Sequence, residues 1–293
     1  METIILKGKP VSLKIKDDLS LKISDLKKNN IILSLAAIIV GDDAASKLYV
    51  SSKAKAFSKL GCHSEVFELP SDTSEHSLKG FIEDLNNNDK FHGILLQLPL
   101  PKHLNEKDIL KNISPSKDVD GLHPENQGYI MQGDPRFIPC TPLGCLKILD
   151  YYNIETKGKD IVVIGRSNLV GKPIASLMSQ NFSFGNGTVT LCHTKTKNLY
   201  FYTKNADIII AAVGVPNLIK SDMVKEGSHI IDVGINRIND PTTQKGYKVV
   251  GDVDYESMLG KVASVTPVPG GVGIMTVTML LSNTVDAAYN QSL

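Results

Sequence analysis

The sequence predicts an α/β fold, and three observations carry that prediction. Apolar strand-like runs alternate with helix-period segments up to about Leu98, the alternation loosens between about Pro99 and Pro139, and it restarts at Lys159 as a Rossmann-like series. Alternating βα units imply a mainly parallel sheet flanked by helices. At about 100 to 200 residues per domain, the 293-residue chain suits two domains or one large α/β domain.

Each element has a local reason. Behind Pro10, the apolar residues Val11, Ile15, Leu19, Ile23 and Leu26 recur every three or four positions, the stripe of an amphipathic helix. The run Leu33 to Val40 reads as a buried strand that stops at Gly41-Asp42-Asp43, and Ala44 to Leu60 follows as a helix that Gly61 can end. A strand at Cys62 to Leu69, a helix over about Glu75 to Leu85 with Leu78, Phe81, Ile82 and Leu85 on one face, and a strand at Gly93 to Leu98 continue the series. Loops with short helical pieces fill about Pro99 to Pro139, a length that often carries function. Thr141-Pro142 can open a helix reaching Tyr152, with the threonine as N-cap and the proline in the first turn. Strand Asp160 to Ile164, a helix after Pro173, strand Thr188 to Cys192, a short helix, strands Asp207 to Val213 and His229 to Val233, closure near Ser264, and a last helix over about Thr276 to Tyr289 complete the chain.

Composition narrows the function classes. The 42% hydrophobic and 22% charged fractions are those of a folded globular protein, not of a disordered or coiled-coil chain. With 32 Lys+Arg against 31 Asp+Glu there is no global field to draw the protein to nucleic acid or an anionic membrane, so a charged ligand must be held by local groups. The most continuous apolar stretch, Ile31 to Val40, is about half a bilayer span, and the N-terminus lacks the features of a secretory signal, so a cytoplasmic protein is expected. Cys62, Cys140, Cys145 and Cys192 form neither a CxxC pair nor a zinc-ligand pattern, which points to buried free thiols and no metal.

Two segments suggest chemistry. Ile164-Gly165-Arg166-Ser167-Asn168-Leu169-Val170-Gly171-Lys172-Pro173 places two glycines in a strand-to-helix turn, where backbone N–H groups and the helix dipole can receive a phosphate. It is not GxGxxG, and a plain structural turn is the alternative. The next strand ends in Cys192-His193-Thr194-Lys195, without the acid that binds the ribose hydroxyl of NAD, and Arg166 can face the same pocket; this favours NADP. Lys195 itself reads as a solvated loop lysine. On the Ala44 helix, Ser46, Tyr49 and Lys53 share one face. Lys47, Lys55 and Lys59 lie on the same helix, so the plain alternative is that Lys53 too is a solubilising charge and Tyr49 a boundary residue.

Five motifs occur together in one order: Tyr49-Val50-Ser51-Ser52-Lys53; Leu96-Gln97-Leu98-Pro99-Leu100-Pro101; Lys117-Asp118-Val119-Asp120-Gly121; Gly165-Arg166-Ser167 with Val170-Gly171-Lys172-Pro173; and Thr266-Pro267-Val268-Pro269-Gly270-Gly271-Val272-Gly273. In this the whole chain resembles the bifunctional methylenetetrahydrofolate dehydrogenase/methenyltetrahydrofolate cyclohydrolases. The resemblance implies a folate-binding catalytic domain of residues 1–140 and 272–293, completed by the C-terminal helix. It also implies an inserted Rossmann-like NADP-binding domain of residues 141–271, a cleft between the domains, and a homodimer acting on tetrahydrofolate one-carbon derivatives without nucleic acid or membrane. It assigns catalysis to Lys53, Tyr49, Gln97 and Asp120, and substrate binding to Tyr49, Gln97, Leu98, Pro99, Asp120, Pro269, Gly270 and Gly271. NADP falls to Gly165, Arg166, Ser167, His193, Thr194, Gly214 and Ile235. Two departures are visible: Thr194 where many relatives have serine, which keeps the hydroxyl, and Ile274 where many have proline, at the start of the last helix.

The implied chemistry suits these groups. Hydride loss from 5,10-methylenetetrahydrofolate to NADP+ leaves a methenyl cation; water then attacks the same carbon, and the adduct opens to 10-formyltetrahydrofolate. A lysine at its ordinary pKa of about 10.4 would be protonated and repel the cation. Burial and the positive substrate lower that pKa, so Lys53 could accept a proton near neutrality. Gln97 can bind the amine or the water without adding charge, and a carboxylate such as Asp120 can accept two N–H bonds from an aminopyrimidinone. Other readings of the sequence are a dehydrogenase without the cyclohydrolase step, a shikimate-type NADP-dependent dehydrogenase, and a dinucleotide-sensing regulator in which Lys53 is unreactive.

Overall fold

A computed structural model describes residues 2–243 and 246–292. The chain divides into two compact units, Lys14–Cys140 with Val277–Leu293, and Met1–Leu13 with Thr141–Thr276.

In the first unit, three parallel strands lie in the order His63–Leu69, Ser34–Val40, Gly93–Leu96. The central strand is buried along its whole length, which explains its unbroken apolar run. Leu78, Ile82 and Leu85 of the Glu75–Asn86 helix pack against Ile38, Ile94 and Leu96 to form the core. The helix Ala44–Lys59 begins at Asp43, whose carboxylate accepts from Ser46 N at 2.7 Å as an N-cap. Gly61 follows its end with φ +67°, a conformation that glycine adopts without a steric cost. Short helices Glu106–Leu110 and Pro124–Gln132 occupy the expected loop region. The last helix, Val272–Ser292, runs back to this unit: Asn283 Nδ2 donates to Val119 O and Ile138 O at 2.8 and 2.9 Å, and Gln291 Nε2 to His92 O at 2.8 Å.

The second unit holds a six-stranded parallel sheet in the order Ile4–Ile5, Ser264–Val265, His229–Asp232, Ile208–Ala211, Asp160–Ile164, Thr188–Cys192. The first strand of the Rossmann series, Asp160–Ile164, lies between its two successors, so the strand order reverses there. Val162, Ile164, Ile209, Ile230 and Val265 contribute to its core.

Several boundaries differ from the sequence reading. Residues 1–13, expected with the catalytic domain, lie with the second unit because Ile4 and Ile5 pair with Ser264 and Val265. The last helix starts at Val272 rather than about Thr276, and the one expected after Pro173 starts at Gly171. Glycine in a first turn reads as loop by propensity, but buried Val272 and Met275, and buried Gly171, anchor these turns by packing. The helix expected from Thr141 starts at Cys140 and ends at Tyr151. An antiparallel pair, Asn236–Asn239 with Tyr247–Val250, and the short helix Tyr255–Met258 have no counterpart in the sequence reading. All four cysteines are free and buried. Among the described residues, no helix is long and apolar enough to cross a membrane.

Candidate active site

The Ala44–Lys59 helix turns Ser46, Val50, Lys53 and Phe57 inward, positions three and four apart. Of its four lysines, Lys53 is the buried one, 6% exposed, whereas Lys47 pairs at the surface with Asp42 and Glu68 at 3.0 and 2.9 Å. The Lys53 ammonium donates to Gln97 Oε1 at 3.2 Å and lies 5.0 Å from the centre of the Tyr49 ring. Burial pulls the Lys53 pKa below the usual lysine range, and the negative charge of Asp120 pulls the other way.

Gln97 follows the Gly93–Leu96 strand, and its backbone N–H still bonds Ile38 O at 2.9 Å. Its side-chain N–H donates to Leu98 O at 2.6 Å, which turns the amide oxygen to Lys53. Leu98 is half-buried and Pro99 exposed beside it.

The Lys117–Gly121 segment runs along the edge of the same sheet, with Ile94 N donating to Lys117 O at 2.8 Å. Its three charged residues have different jobs. Buried Lys117 donates to Leu85 O and Asn88 O at 3.2 and 2.9 Å, closing the end of the Glu75–Asn86 helix. Buried Asp118 accepts from Leu122 N, His123 N and Asn126 Nδ2 at 3.1, 2.7 and 2.8 Å, which fixes the start of the Pro124–Gln132 helix. Burial raises the Asp118 pKa to about 7, with those donors opposing the rise. Asp120 is half-buried near Cys140, whose thiol donates to Val119 O at 3.6 Å and is pushed well above its usual range by burial and by that carboxylate. Gly121 has φ +71°, and a Cβ there would come within 2.9 Å of Pro139 N. The unit thus brings Tyr49, Lys53, Gln97 and Asp120 into one electrostatic cluster. Sequence reasoning read Cys140 as a buried free thiol without placing it at the site, and did not single out Asn283; both adjoin the cluster through contacts that a single sequence does not show.

In the second unit, strand pairing aligns Ile164 with Cys192 and Ala211, and Ala211 with Asp232. Gly165–Ser167, His193–Thr194, Gly214 and Ile235 therefore all lie just past the C-terminal edge of the parallel sheet. Gly165 N donates to Cys192 O at 2.9 Å, which sets the first two turns side by side. Gly165 has φ +115°, and a Cβ on it would strike Ala212 O; a Cβ on Gly171 would strike Gly165 O. The two glycines let the helix Gly171–Ser179 start against the turn, where Lys172 N donates to Ser167 O at 3.1 Å. Ser167 Oγ accepts from Val170 N at 3.1 Å, and Thr196 Oγ1 accepts from His193 N at 2.9 Å, so both turns are held locally. Arg166, Thr194, Gly214 and Ile235 are exposed.

Pro269, Gly270 and Gly271 belong to this second unit. Gly270 has φ +114°, and its carbonyl accepts from Gly8 N at 2.9 Å. Ile274 is the third residue of the last helix, and its N–H bonds Gly271 O at 3.3 Å, so that helix starts without a proline.

Residues 139–292 match the NAD(P)-binding domain of the tetrahydrofolate dehydrogenase/cyclohydrolases, and residues 6–120 match the catalytic domain. The bifunctional protein FolD of Chlorobium chlorochromatii is 51% identical over 287 residues, 97% of each chain. Among solved structures, the bifunctional enzyme FolD, a methylenetetrahydrofolate dehydrogenase/cyclohydrolase from Campylobacter jejuni, is 49% identical with a TM-score of 0.93 over 99% of both chains. The Trypanosoma brucei N5,N10-methylenetetrahydrofolate dehydrogenase-cyclohydrolase, solved with NADP cofactor and inhibitor, is 33% identical with a TM-score of 0.93 over 100% of this chain and 99% of that one. The chain belongs to the tetrahydrofolate dehydrogenase/cyclohydrolase family.

Proposed function

We propose that the protein oxidises 5,10-methylenetetrahydrofolate with NADP+ and hydrolyses the resulting methenyl cation to 10-formyltetrahydrofolate. The observation that carries this reading is the buried Lys53 amine, held by Gln97 and depressed in pKa by its burial. A neutral amine can take the proton released when water adds to the methenyl carbon. The Tyr49 ring face favours the charged form and burial opposes it, so the amine can both take and return a proton. Gln97 holds the amine with an uncharged oxygen, which does not stabilise the ammonium as a carboxylate would. Asp120 accepts the N–H groups of the pterin edge, with Leu98 and Pro99 of the same unit contributing to substrate binding.

The C-terminal edge of the larger sheet fits NADP. Gly165 and Gly171 allow the close backbone packing of the strand-to-helix turn on which a phosphate would sit, and Arg166 and Thr194 supply a cation and a hydroxyl for the 2′-phosphate. His193, Thr194 and Lys195 follow the second strand where an NAD site would carry an acid. Ser167, His193, Gly214 and Ile235 complete that binding edge. When bound, NADP+ supplies the hydride acceptor. Folate chemistry is assigned to the unit of residues 14–140 and 277–293 and cofactor binding to the unit that holds residues 141–276. The protein works as a cytoplasmic homodimer with no nucleic-acid or membrane partner; light scattering of the purified protein tests the dimer.

The decisive experiment supplies methylenetetrahydrofolate and NADP+ together and follows NADPH and methenyl absorbance at once. NADPH formation with little methenyl intermediate is expected. Methenyl accumulation in step with NADPH would leave a dehydrogenase alone, and no turnover with bound NADP+ would leave a sensor.

A further inference from the structure

Two buried carboxylates at the cofactor edge have no part in the chemistry above. Asp252 is fully buried and Asp232 is 2% exposed. Asp252 Oδ2 accepts from two successive N–H groups, Val213 at 2.6 Å and Gly214 at 3.0 Å, while its Oδ1 accepts from Asn236 Nδ2 at 2.9 Å. Asp232 holds Asp252 in turn: its Oδ1 accepts from Gly234 N and Asp252 N, both at 2.9 Å, and its Oδ2 from Val253 N at 3.0 Å. The Asp232 N–H donates to Thr266 Oγ1 at 2.7 Å, which ties the pair to the segment leading to Pro269–Gly271.

The glycines around the pair show how closely it is enclosed. A Cβ on Gly234 would strike the Asp252 carboxylate, and one on Gly251 would strike that of Asp232. Among the described residues, the donors to this pair are backbone N–H groups and one amide, with no cation. A buried carboxylate without a cation is a costly way to hold a loop together, since it resists ionisation. Burial accordingly raises Asp232 to about 6. What the carboxylate supplies is geometry: one oxygen draws two consecutive N–H groups to a point, which sets the Val213–Gly214 turn with Gly214 at φ +69°. Its other oxygen reaches the residue after Ile235.

We propose that Asp252, locked in place by Asp232, is a positioning residue that sets the Val213–Gly214 and Gly234–Ile235 turns in the form that receives the nicotinamide cofactor. This rests on the assignment of Gly214 and Ile235 to cofactor binding. Asp252 acts through those turns and touches no reacting atom.

The test is calorimetric titration of NADP+ into Asp252→Ala, Asp252→Asn and Ile235→Ala, together with the KM for methenyltetrahydrofolate in hydrolysis without cofactor. Asp252→Ala should raise the Kd for NADP+ by about tenfold or more, because two N–H groups lose their shared acceptor, while the hydrolysis KM changes by less than about twofold. Asp252→Asn should recover most of the affinity, since its amide oxygen still accepts from both groups and the Asn236 amide can turn over to accept from its NH2. If Asp252→Ala does not fold, Asp252→Ser, whose hydroxyl is too short to serve both N–H groups, is expected to show the same split. An unchanged Kd in the folded variant beside a raised Kd in Ile235→Ala overturns the positioning role alone. An unchanged Kd in both overturns the cofactor assignment and the proposal with it. A parallel loss of NADP+ affinity and hydrolysis would mark Asp252 as a general element of the fold and also overturn it.

Discussion

Replacing Lys53 with methionine separates the amine's chemistry from its packing. The side chain is 6% exposed, and methionine keeps the unbranched shape while removing the charge and the 3.2 Å hydrogen bond to Gln97. That bond contributes about 1 kcal/mol, and a methionine avoids the desolvation of a buried amine, so unfolding free energy should shift by no more than about 1 kcal/mol in either direction. The catalytic loss should be far larger: removing a positioned base costs roughly 10²- to 10⁴-fold, or about 3 to 5 kcal/mol of barrier. The assay is decay of methenyltetrahydrofolate absorbance without cofactor, beside urea unfolding and NADP+ titration of the same protein. Wild-type hydrolysis should rise with pH as the amine, already shifted below the usual lysine range by burial, loses its proton. In Lys53→Met that rise should vanish, with NADP+ affinity unchanged. Hydrolysis at the wild-type rate by the folded variant would refute the assignment.

Arg166→Ala should raise the KM for NADP+ well beyond that for NAD+, by about tenfold, because the lost guanidinium is a charge-assisted partner of the 2′-phosphate; equal changes in steady-state kinetics with both cofactors would contradict this. Gly171→Ala places a Cβ against Gly165 O, backbone on backbone, and should cost about 1 to 3 kcal/mol in urea unfolding as well as weaken NADP+ binding; wild-type values for both would show that the turn has room. Asp118 titrates at about 7 in the fold against about 3.9 in an unfolded chain, so the native state binds more protons between those values and stability should fall as pH rises from about 4 to 7. Asp118→Asn should flatten part of that fall in urea titrations at pH 5 and pH 7, and an unaltered pH dependence would argue against the buried carboxyl as its source.

The sequence by itself determined the elements whose signal is local. The strands Asp160–Ile164 and Thr188–Cys192 lie where their apolar runs and flanking turns put them, and the Glu75–Asn86 helix buries the Leu78, Ile82 and Leu85 stripe read from its spacing. The co-occurrence of five motifs also pointed to the family. Long-range pairing decided the rest. Ile4 and Ile5 make too short a run to announce a strand until Ser264 and Val265 lie beside them. Lys53 is one lysine among four on its helix, and its position between Val50 and Phe57 on the inward stripe was the local sign available; its burial needed the neighbouring elements in place. The acids of Lys117–Gly121 look alike in sequence, yet the fold spends Asp118 on N–H groups ahead of a helix and leaves Asp120 beside Cys140 and Lys53. Asp232 and Asp252 drew no attention along the chain because their partners, Val213, Gly214 and Thr266, are distant in sequence. Periodicity reports which face of an element is apolar; which polar groups meet inside depends on contacts that no single segment encodes.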